Sequence, residues 1–319
     1  MKALTFSRFG DPSVLEYTEV PMPSLQPGEV LVEMKAIGLN FADIYRRKGN
    51  YHLKGEPPFI AGYEGSGVVV DSNGVAGISN GDRIAFADVP FAQAQYVAVP
   101  MDHAIDLPPD IGFEQAAALL LQGLTAHYLC HDSHAVKAGE FVVIHAASGG
   151  VGQLLTQLCL AKGARVIGLT TSRAKEEAIR QLGAEAVFNL QDDWKQQVRT
   201  LTGQGADVVY DSVGSTLMDS IEVARECGHV VFYGMSGGDP QPVNPRLLMD
   251  SSKTLTGGDL WSHLKTCEDR NRRAQALFEM IREGSLRLAE AARFALSEGR
   301  AAHEHLESGK SMGKVLLMP

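Results

Sequence analysis

Cysteine is scarce in this sequence, and its placement excludes several kinds of site. The 319 residues include four cysteines, which lie far apart and form no Cys-x-x-Cys pair: Cys130, Cys159, Cys227 and Cys267. This pattern excludes a disulfide framework and leads us to expect a cytoplasmic protein. Because no cysteine occurs in residues 1–129, a four-cysteine zinc lobe cannot form there.

The sequence also has no long apolar run and no excess of positive charge. Residues 1–8 lack the apolar segment of a secretion signal, and no window reaches the length of a membrane-spanning helix. Lys and Arg number 29 against 38 Asp and Glu, a net charge of −9, so we expect neither nucleic acid nor membrane as a partner. The two basic clusters, 46–48 and 270–273, are expected to be solvated faces.

Glycine, in contrast, is abundant, and it marks the domain organisation. Many of the 33 glycines follow short apolar runs, as in nucleotide-binding α/β proteins. Residues 1–122 predict a β-rich, barrel-like domain, because short apolar runs alternate with turn signals. Residues 123–258 alternate apolar strands with helical stretches, which predicts a doubly wound parallel sheet. Residues 259–319 end in an apolar strand, 314–317, that we expect to return to the first domain.

Individual elements of the second region can be predicted from the apolar pattern. The strands are expected at 141–146, 165–169, 186–189, 207–210 and 230–233. The intervening helices are expected at 151–162, 173–182, 192–202 and 216–226. Three glycines close behind these helices are expected to be left-handed caps: Gly163, Gly183 and Gly228.

The strongest local signal is a dinucleotide fingerprint that follows the first of these strands. Read from Ala147 it is A-x-G-x-x-G, with alanine in place of the first glycine. Gly149 would let the backbone approach a pyrophosphate, and Gly152 would allow close packing of helix and strand. The helix N-terminus would offer N–H groups to the anion. The candidate contacts are Ser148, Gly149, Gly150, Val151 and Gly152; the alternative is a glycine-rich structural turn.

The choice between NADPH and NADH is expected at the end of the second strand, where an NAD site usually carries an acidic residue. This chain has hydroxyl groups and cations there, with no acid before Glu176. These side chains could bind a 2′-phosphate: Thr171, Ser172, Arg173 and Lys175. The pattern favours NADPH, although the same residues also fit an ordinary helix start capped by Ser172.

Motifs along the whole chain, in order, resemble a known family. They are Pro27-Gly28-Glu29, Gly38-Leu39-Asn40-Phe41-Ala42-Asp43, Gly62-Tyr63-Glu64-Gly65, Gly81-Asp82-Arg83, Gly123-Leu124-Thr125-Ala126, the fingerprint, Tyr210-Asp211-Ser212-Val213-Gly214 and Gly313-Lys314-Val315. Together they resemble the quinone oxidoreductase, or ζ-crystallin-like, branch of the medium-chain dehydrogenase/reductase superfamily.

The resemblance implies an α/β protein with a GroES-like catalytic domain and a Rossmann nucleotide domain. It also implies a homodimer joined through edge strands of the nucleotide domains, with Leu255-Thr256-Gly257 as the candidate edge. Zinc-bearing relatives place a cysteine where this chain has Asn40 and a histidine where it has Tyr63. We therefore expect chemistry that does not depend on a metal ion.

Residues near the nicotinamide and the substrate can also be carried over from the family. The resemblance implies catalytic roles for Asn40, Tyr45 and Tyr51, because without zinc hydrogen-bond donors must stabilise the charge that develops on oxygen. Asp43 fits a structural role equally well, and the tyrosines also fit simple packing. Further cofactor contacts are expected at Thr125, Ser212, Tyr233 and Gly234, with Asn40 orienting the carboxamide or ribose.

Three histidines have spacing that could suit a metal, but a structural reading is favoured. His127 and His131 share a helix face, with His134 nearby, while His145 at the end of the first strand is expected to pack against the sheet. The expected function is NADPH-dependent reduction of a quinone. The alternatives are reduction of an enone or enoyl thioester, and a non-enzymatic role as a cofactor-binding structural or RNA-associated protein.

Overall fold

The computed structural model describes all residues from 1 to 319, and the chain divides into two compact units. The first unit comprises Met1–Gln122, Leu264–Glu279 and Leu288–Pro319. The second comprises Gly123–His263 and Met280–Arg287. No helix is both long enough and apolar enough to cross a membrane.

The chain forms sixteen strands and nine α-helices. In chain order they are β1 (Lys2–Phe6), β2 (Glu16–Glu19), β3 (Glu29–Leu39), α1 (Phe41–Lys48), β4 (Phe59–Ile60), β5 (Glu64–Asp71), β6 (Arg83–Ala87), β7 (Tyr96–Pro100), β8 (Ile105–Asp106), α2 (Phe113–Tyr128), β9 (Phe141–Ile144), α3 (Gly150–Ala161), β10 (Arg165–Thr170), α4 (Arg173–Gln181), β11 (Ala186–Asn189), α5 (Trp194–Thr202), β12 (Ala206–Asp211), α6 (Leu217–Val223), β13 (Ala224–Phe232), α7 (Pro245–Ser251), β14 (Thr254–Gly257), α8 (Cys267–Arg282), β15 (Ala292–Ala295), α9 (Gly299–Glu307) and β16 (Val315–Met318).

The first unit is built around an apolar core on strands that are antiparallel, except for the parallel pair β15 and β16. Its larger sheet has the order β15-β16-β3-β5-β6-β8, with β7 also paired to β3. Alternate residues of β3 are buried from Val30 to Ala36, as expected for a strand with one face on a core. The last strand, β16, pairs antiparallel with β3. The segment 259–319 does not belong to this unit throughout, because residues 259–263 and 280–287 lie in the second unit.

The second unit is a six-stranded parallel sheet with helices between successive strands. The strand order is β11-β10-β9-β12-β13-β14, the order of a doubly wound dinucleotide-binding fold. Residues 142–144 of β9 are fully buried, as expected for a central parallel strand covered on both faces. The strand β14 lies at one edge of the sheet, so the predicted edge at residues 255–257 is confirmed.

Two of the three predicted glycine caps are confirmed, and one is wrong. Gly163 and Gly183 have positive φ values of 79° and 100°. Gly228 does not, because it lies inside β13, which begins at Ala224 and takes up the end of the predicted helix 216–226. Ala224 and residues 229–232 pair with β12, with an irregularity between them.

The expectation that both basic clusters are solvated is also wrong. Arg46 and Arg47 are 2% and 1% exposed, and Arg270 and Arg273 are 3% and 6% exposed. Arg47 donates to the carbonyl of Gly10 and to the Glu307 carboxylate, and such partners make burial of an arginine tolerable. Only the flanking Lys48 and Arg272 are exposed.

Candidate active site

The turn between β9 and α3 has the close packing that a dinucleotide fingerprint requires. Gly149 is the N-cap of α3. A Cβ added to Gly152 would lie 2.3 Å from the carbonyl oxygen of Ala146 and 2.8 Å from the Cα of Ala147. Only glycine therefore fits at position 152, and the first-turn N–H groups of α3 lack partners within the helix. The predicted phosphate contacts therefore lie at the N-terminus of a helix, the kind of place where proteins bind anions.

A buried hydrogen-bond cluster holds the next loop at the same edge of the sheet. Asp211, at the end of β12, accepts from the backbone N–H groups of Val213 and Gly214 at 2.8 and 3.0 Å. Ser220 donates to Asp211 at 2.6 Å and lies 2.9 Å from His145 Nε2. Burial lowers the pKa of His145, so its ring is neutral. Asp211 thus fixes the loop of Ser212, and His145 contacts the Ser220 hydroxyl that donates to Asp211; the sequence analysis assigned neither role.

The predicted phosphate-binding residues follow β10, and acidic neighbours accompany them. Ser172 is the N-cap of α4. Arg173 is exposed, and its Nη2 donates to Asp192 at 2.9 Å, while Nη1 lies 3.8 Å from Glu176. Desolvation lowers the pKa of Lys175. Asp192 follows β11, so its contact with Arg173 depends on the parallel pairing of β10 and β11 and could not be predicted from spacing along the chain.

The remaining predicted cofactor contacts lie at scattered places in the second unit. Thr125 is buried in α2. Tyr233 and Gly234 follow β13, where a Cβ added to Gly234 would lie 3.0 Å from the carbonyl oxygen of Ser212. The backbone N–H of Tyr233 donates to the Asp211 carbonyl. The segment of Ser212 therefore lies directly beside the segment of Gly234.

In the first unit, Asn40 is held by a buried ion pair. Lys314 Nζ donates to Asn40 Oδ1 at 2.8 Å and also bonds Glu64 Oε2. Asn40 Nδ2 donates to the same Glu64 oxygen at 2.8 Å. Because an ammonium group can only donate, the Asn40 atom that faces Lys314 must be its carbonyl oxygen. One of the two amide hydrogens is used by Glu64, which leaves the second for a ligand.

Glu64 and Lys314 belong to two of the motifs that resemble the family, but the sequence analysis gave neither residue a role. Both are buried: Glu64 is 0% exposed and Lys314 is 3% exposed. Glu64 Oε1 accepts from the backbone N–H of Leu121 at 2.7 Å, so both of its oxygens have partners. The two residues are 250 positions apart, and only the pairing of β16 with β3 brings Lys314 to this cluster.

Tyr45 and Tyr51 lie near each other at the end of α1. Their ring centroids are 6.2 Å apart and nearly perpendicular, and both residues are half-buried. Asp43 accepts from the backbone N–H of Asn40 at 2.9 Å, which supports the structural reading of this carboxyl. Burial raises the pKa of Asp43 to about 6, against the opposing effect of Arg46.

The histidines singled out from the sequence have other partners. The rings of His127 and His131 stack at 4.0 Å, and His131 Nδ1 lies 2.8 Å from the carbonyl of His127. His134 contacts Glu140 and His229. His145 is buried, and its ring packs edge-on against Trp194, the first residue of α5. No group of three or more His, Cys, Asp or Glu residues has an arrangement that could hold a metal ion.

Comparison with known proteins finds similarity over the whole chain. Residues 26–140 match the alcohol dehydrogenase GroES-like domain, and residues 150–274 match the zinc-binding dehydrogenase family. A quinone oxidoreductase of Pseudomonas aeruginosa is 36% identical, and the alignment covers 100% of this chain and 99% of that protein. A 2-haloacrylate reductase of a Burkholderia species is 34% identical over 99% of this chain and 98% of that protein.

A solved structure has the same fold. The crystal structure of Escherichia coli quinone oxidoreductase complexed with NADPH superimposes with a TM-score of 0.96 at 34% sequence identity. The match covers 100% of both chains. The likeness therefore includes both units.

Proposed function

Because the chain belongs to the quinone oxidoreductase branch of the medium-chain dehydrogenase/reductase superfamily, we propose that it reduces a quinone with a hydride from NADPH, without a metal ion. The observation that carries the proposal is the turn at Gly149 to Gly152, where a side chain at position 152 would collide with the Ala146 carbonyl. The relatives named quinone oxidoreductase support the choice of acceptor.

The second unit would bind the phosphate groups and the nicotinamide half of NADPH. We propose that the α3 N-terminus, from Ser148 to Gly152, binds the pyrophosphate. At the end of β10, hydroxyl and cationic groups would bind the 2′-phosphate: Thr171, Ser172, Arg173 and Lys175. Thr125, Ser212, Tyr233 and Gly234 would hold the nicotinamide half. When bound, NADPH supplies the hydride at its nicotinamide ring.

The first unit would supply hydrogen-bond donors. Asn40 has one amide hydrogen to offer, and the buried ion pair of Lys314 and Glu64 keeps it in one orientation. We propose that this N–H orients the carboxamide or ribose of the cofactor, and that Tyr51, beside Tyr45, donates to the acceptor oxygen. Donors that are already oriented need no reorganisation as charge develops on oxygen.

An activated alkene is the second candidate acceptor, because one full-length relative is named 2-haloacrylate reductase. Reduction of a carbon–carbon double bond conjugated to a carbonyl leaves an enolate oxygen, which benefits from a proton donor such as Tyr51. A quinone has less need of this acid, because solvent can protonate a hydroquinone anion. The same cofactor machinery serves both reactions.

The discriminating experiment is NADPH oxidation by the purified protein against a panel of quinones, enones and enoyl-CoAs. We expect turnover with 1,4-quinones to exceed turnover with the other two classes. Faster turnover with enones would favour the alkene reductase. Activity with none of them would favour the cofactor-binding structural or RNA-associated role, which a gel shift with RNA at physiological salt tests directly.

We also propose a homodimer formed through β14 and a cytoplasmic location. An edge strand has unpaired backbone groups that a second copy can satisfy. The four cysteines are all free, as is usual in a reducing compartment. Sedimentation should give about twice the chain mass of 34.4 kDa, and a mass equal to one chain would contradict the dimer.

A further inference from the structure

Arg46 is a buried cation next to the proposed active-site tyrosines, and the sequence analysis gave it no role. It lies on α1 and is 2% exposed. Its Nε donates to the backbone carbonyl of His52 at 3.0 Å, and its Nη1 donates to Asp43 at 3.4 Å. These contacts tie the end of α1 to the segment that follows it.

The guanidinium lies close to two aromatic rings. Its central carbon is 3.5 Å from the centroid of the Tyr63 ring and 5.0 Å from that of Tyr51. Tyr63 is itself buried, and its hydroxyl accepts from the backbone N–H of Lys54 at 3.0 Å. Burial and this hydrogen bond hold the Tyr63 ring in place. The ring therefore gives the planar guanidinium of Arg46 a fixed surface on which to stack. Tyr51 is half-buried.

The same cation connects the two proposed functional residues of this unit. Asp43 accepts from the backbone N–H of Asn40 with one oxygen and from Arg46 with the other. Arg46 in turn contacts the ring of Tyr51 and the carbonyl of His52, the residue after it. A continuous path of polar contacts therefore leads from the backbone of Asn40 to the ring of Tyr51.

We propose that Arg46 is a positioning residue for Tyr51: it fixes the ring and, through its charge, makes the phenol a better proton donor. The inference rests on the proposed function, since it assumes that Tyr51 meets the acceptor. A buried positive charge stabilises a phenolate more than a phenol. The interaction is weakly screened because the guanidinium is not exposed to solvent.

The charges around Arg46 and Tyr51 determine the direction of the expected effect. The titratable groups that face them are Asp43 and Tyr45 on α1, His52 in the segment that follows, and Tyr63 just before β5. Asp88, just after β6, acts on Tyr63. Asp43 has a pKa of about 6, so it is ionised throughout the range in which phenols titrate. Loss of Arg46 then removes the positive charge 5.0 Å from the centroid of the Tyr51 ring, which raises the pKa of the phenol.

The first test needs no turnover, so it is independent of the proposed reaction. Tyrosine labelled with carbon-13 at the phenol carbon reports ionisation by NMR, and Y51F assigns the resonance. We expect R46M to raise the titration midpoint of Tyr51 by about one pKa unit, roughly tenfold in the proton equilibrium, and R46K to restore most of it. The matched control is R47M, which removes an equally buried arginine of the same helix whose partners lie elsewhere.

An unchanged midpoint in R46M would overturn the inference, and so would an equal rise in R47M, because that would indicate general loosening. If R46M does not fold, Tyr63→Leu is the alternative test, because it removes the ring on which Arg46 stacks and leaves every charged residue in place. It should also move the Tyr51 midpoint, and no movement would count against the proposal.

Turnover provides the second test. R46M should lower kcat with the acceptor more than it raises KM, and the R46M/Y51F double variant should be no slower than Y51F alone. Additive losses would contradict a role through Tyr51 and indicate a merely structural arginine. A wild-type protein inactive with every acceptor, together with a shifted Tyr51 titration, would contradict the proposed function but not the positioning role.

Discussion

Two buried charges hold the side-chain amide of Asn40. The Lys314 ammonium fixes the carbonyl oxygen, and the Glu64 carboxylate fixes one amide hydrogen. Removal of one partner of such a pair commonly costs about 3–5 kcal/mol, whereas apolar pairs are often as stable as intact ion pairs. Apolar residues could therefore stabilise the fold about as well as the ion pair of Lys314 and Glu64. Its particular effect at this position is to aim the remaining N–H of Asn40.

Tyr51 is the residue whose replacement tests acid catalysis most simply. We predict that Tyr51→Phe lowers kcat more than it raises KM, with a loss on the order of 10²-fold for an enone, at the low end of general acid catalysis. The loss should be smaller with a quinone. Steady-state kinetics with the enone and with the quinone measures the ratio of wild-type to variant kcat, and of wild-type to variant KM, for each acceptor. Tyr17→Phe, at an exposed position on β2, is the control, and an unchanged kcat for the enone would remove Tyr51 as the acid.

His303 predicts a pH dependence of stability. Burial and the charge of Arg47 lower its pKa to about 3, while in the unfolded chain it titrates near 6.5. Between these values the unfolded chain binds a proton that the folded chain does not. The stabilisation is therefore complete above pH 6.5 and is lost as the pH falls toward 3, by roughly 2 kcal/mol at pH 5.

The variant His303→Gln cannot titrate but keeps polar atoms near Arg47. We expect its unfolding free energy to fall less steeply than that of the wild type between pH 6.5 and 5, as measured by urea denaturation. His305→Gln on the same helix is the control and should follow the wild-type slope. If the unfolding free energies of all three proteins had the same pH dependence, folding would not lower the pKa of His303, and the prediction would be wrong.

At the scale of elements, the apolar pattern predicted most of the second unit because parallel strands are buried on both faces. The strand 186–189 has the predicted limits, and the helices at α3 and α4 agree to within one residue. The error at 216–226 arose because residues 224–226 fit a helical pattern, yet β12 pairs with Ala224. A long-range pairing of this kind overrides local preference.

The start of α4 is the element predicted to select the cofactor. We predict at least a tenfold preference of the wild type for NADPH over NADH in kcat/KM. The double variant R173A/K175A should lose roughly tenfold or more in kcat/KM for NADPH, because charge-assisted hydrogen bonds to the phosphate disappear, and should change little for NADH.

Arg199→Ala, which removes an arginine from α5, is the control for this substitution and should keep the wild-type preference. Asp192 accepts a hydrogen bond from Arg173 and would compete with a bound 2′-phosphate for this side chain, which would reduce the preference for NADPH over NADH. Equal turnover of NADPH and NADH by the wild type would contradict the assignment.

At the scale of the whole molecule, ordered motifs were sufficient to predict the α/β fold and the return of the last strand to the first unit. They were not sufficient for the polar cluster of the first unit. Glu64, Lys314 and Arg46 acquire their roles from contacts between distant segments and from burial, neither of which has a local signature. The basic clusters were misread for the same reason, since a run of arginines has the same composition whether it is solvated or paired.

The most direct measurement is the anaerobic oxidation of NADPH by 1,4-benzoquinone, catalysed by protein dialysed against EDTA. With NADPH deuterated at the transferred position, we expect one hydroquinone formed per NADPH consumed and a slower rate than with unlabelled NADPH. Activity should be unchanged by the chelator. Oxidation no faster than without protein, or activity that returns only when zinc is added, would contradict the account.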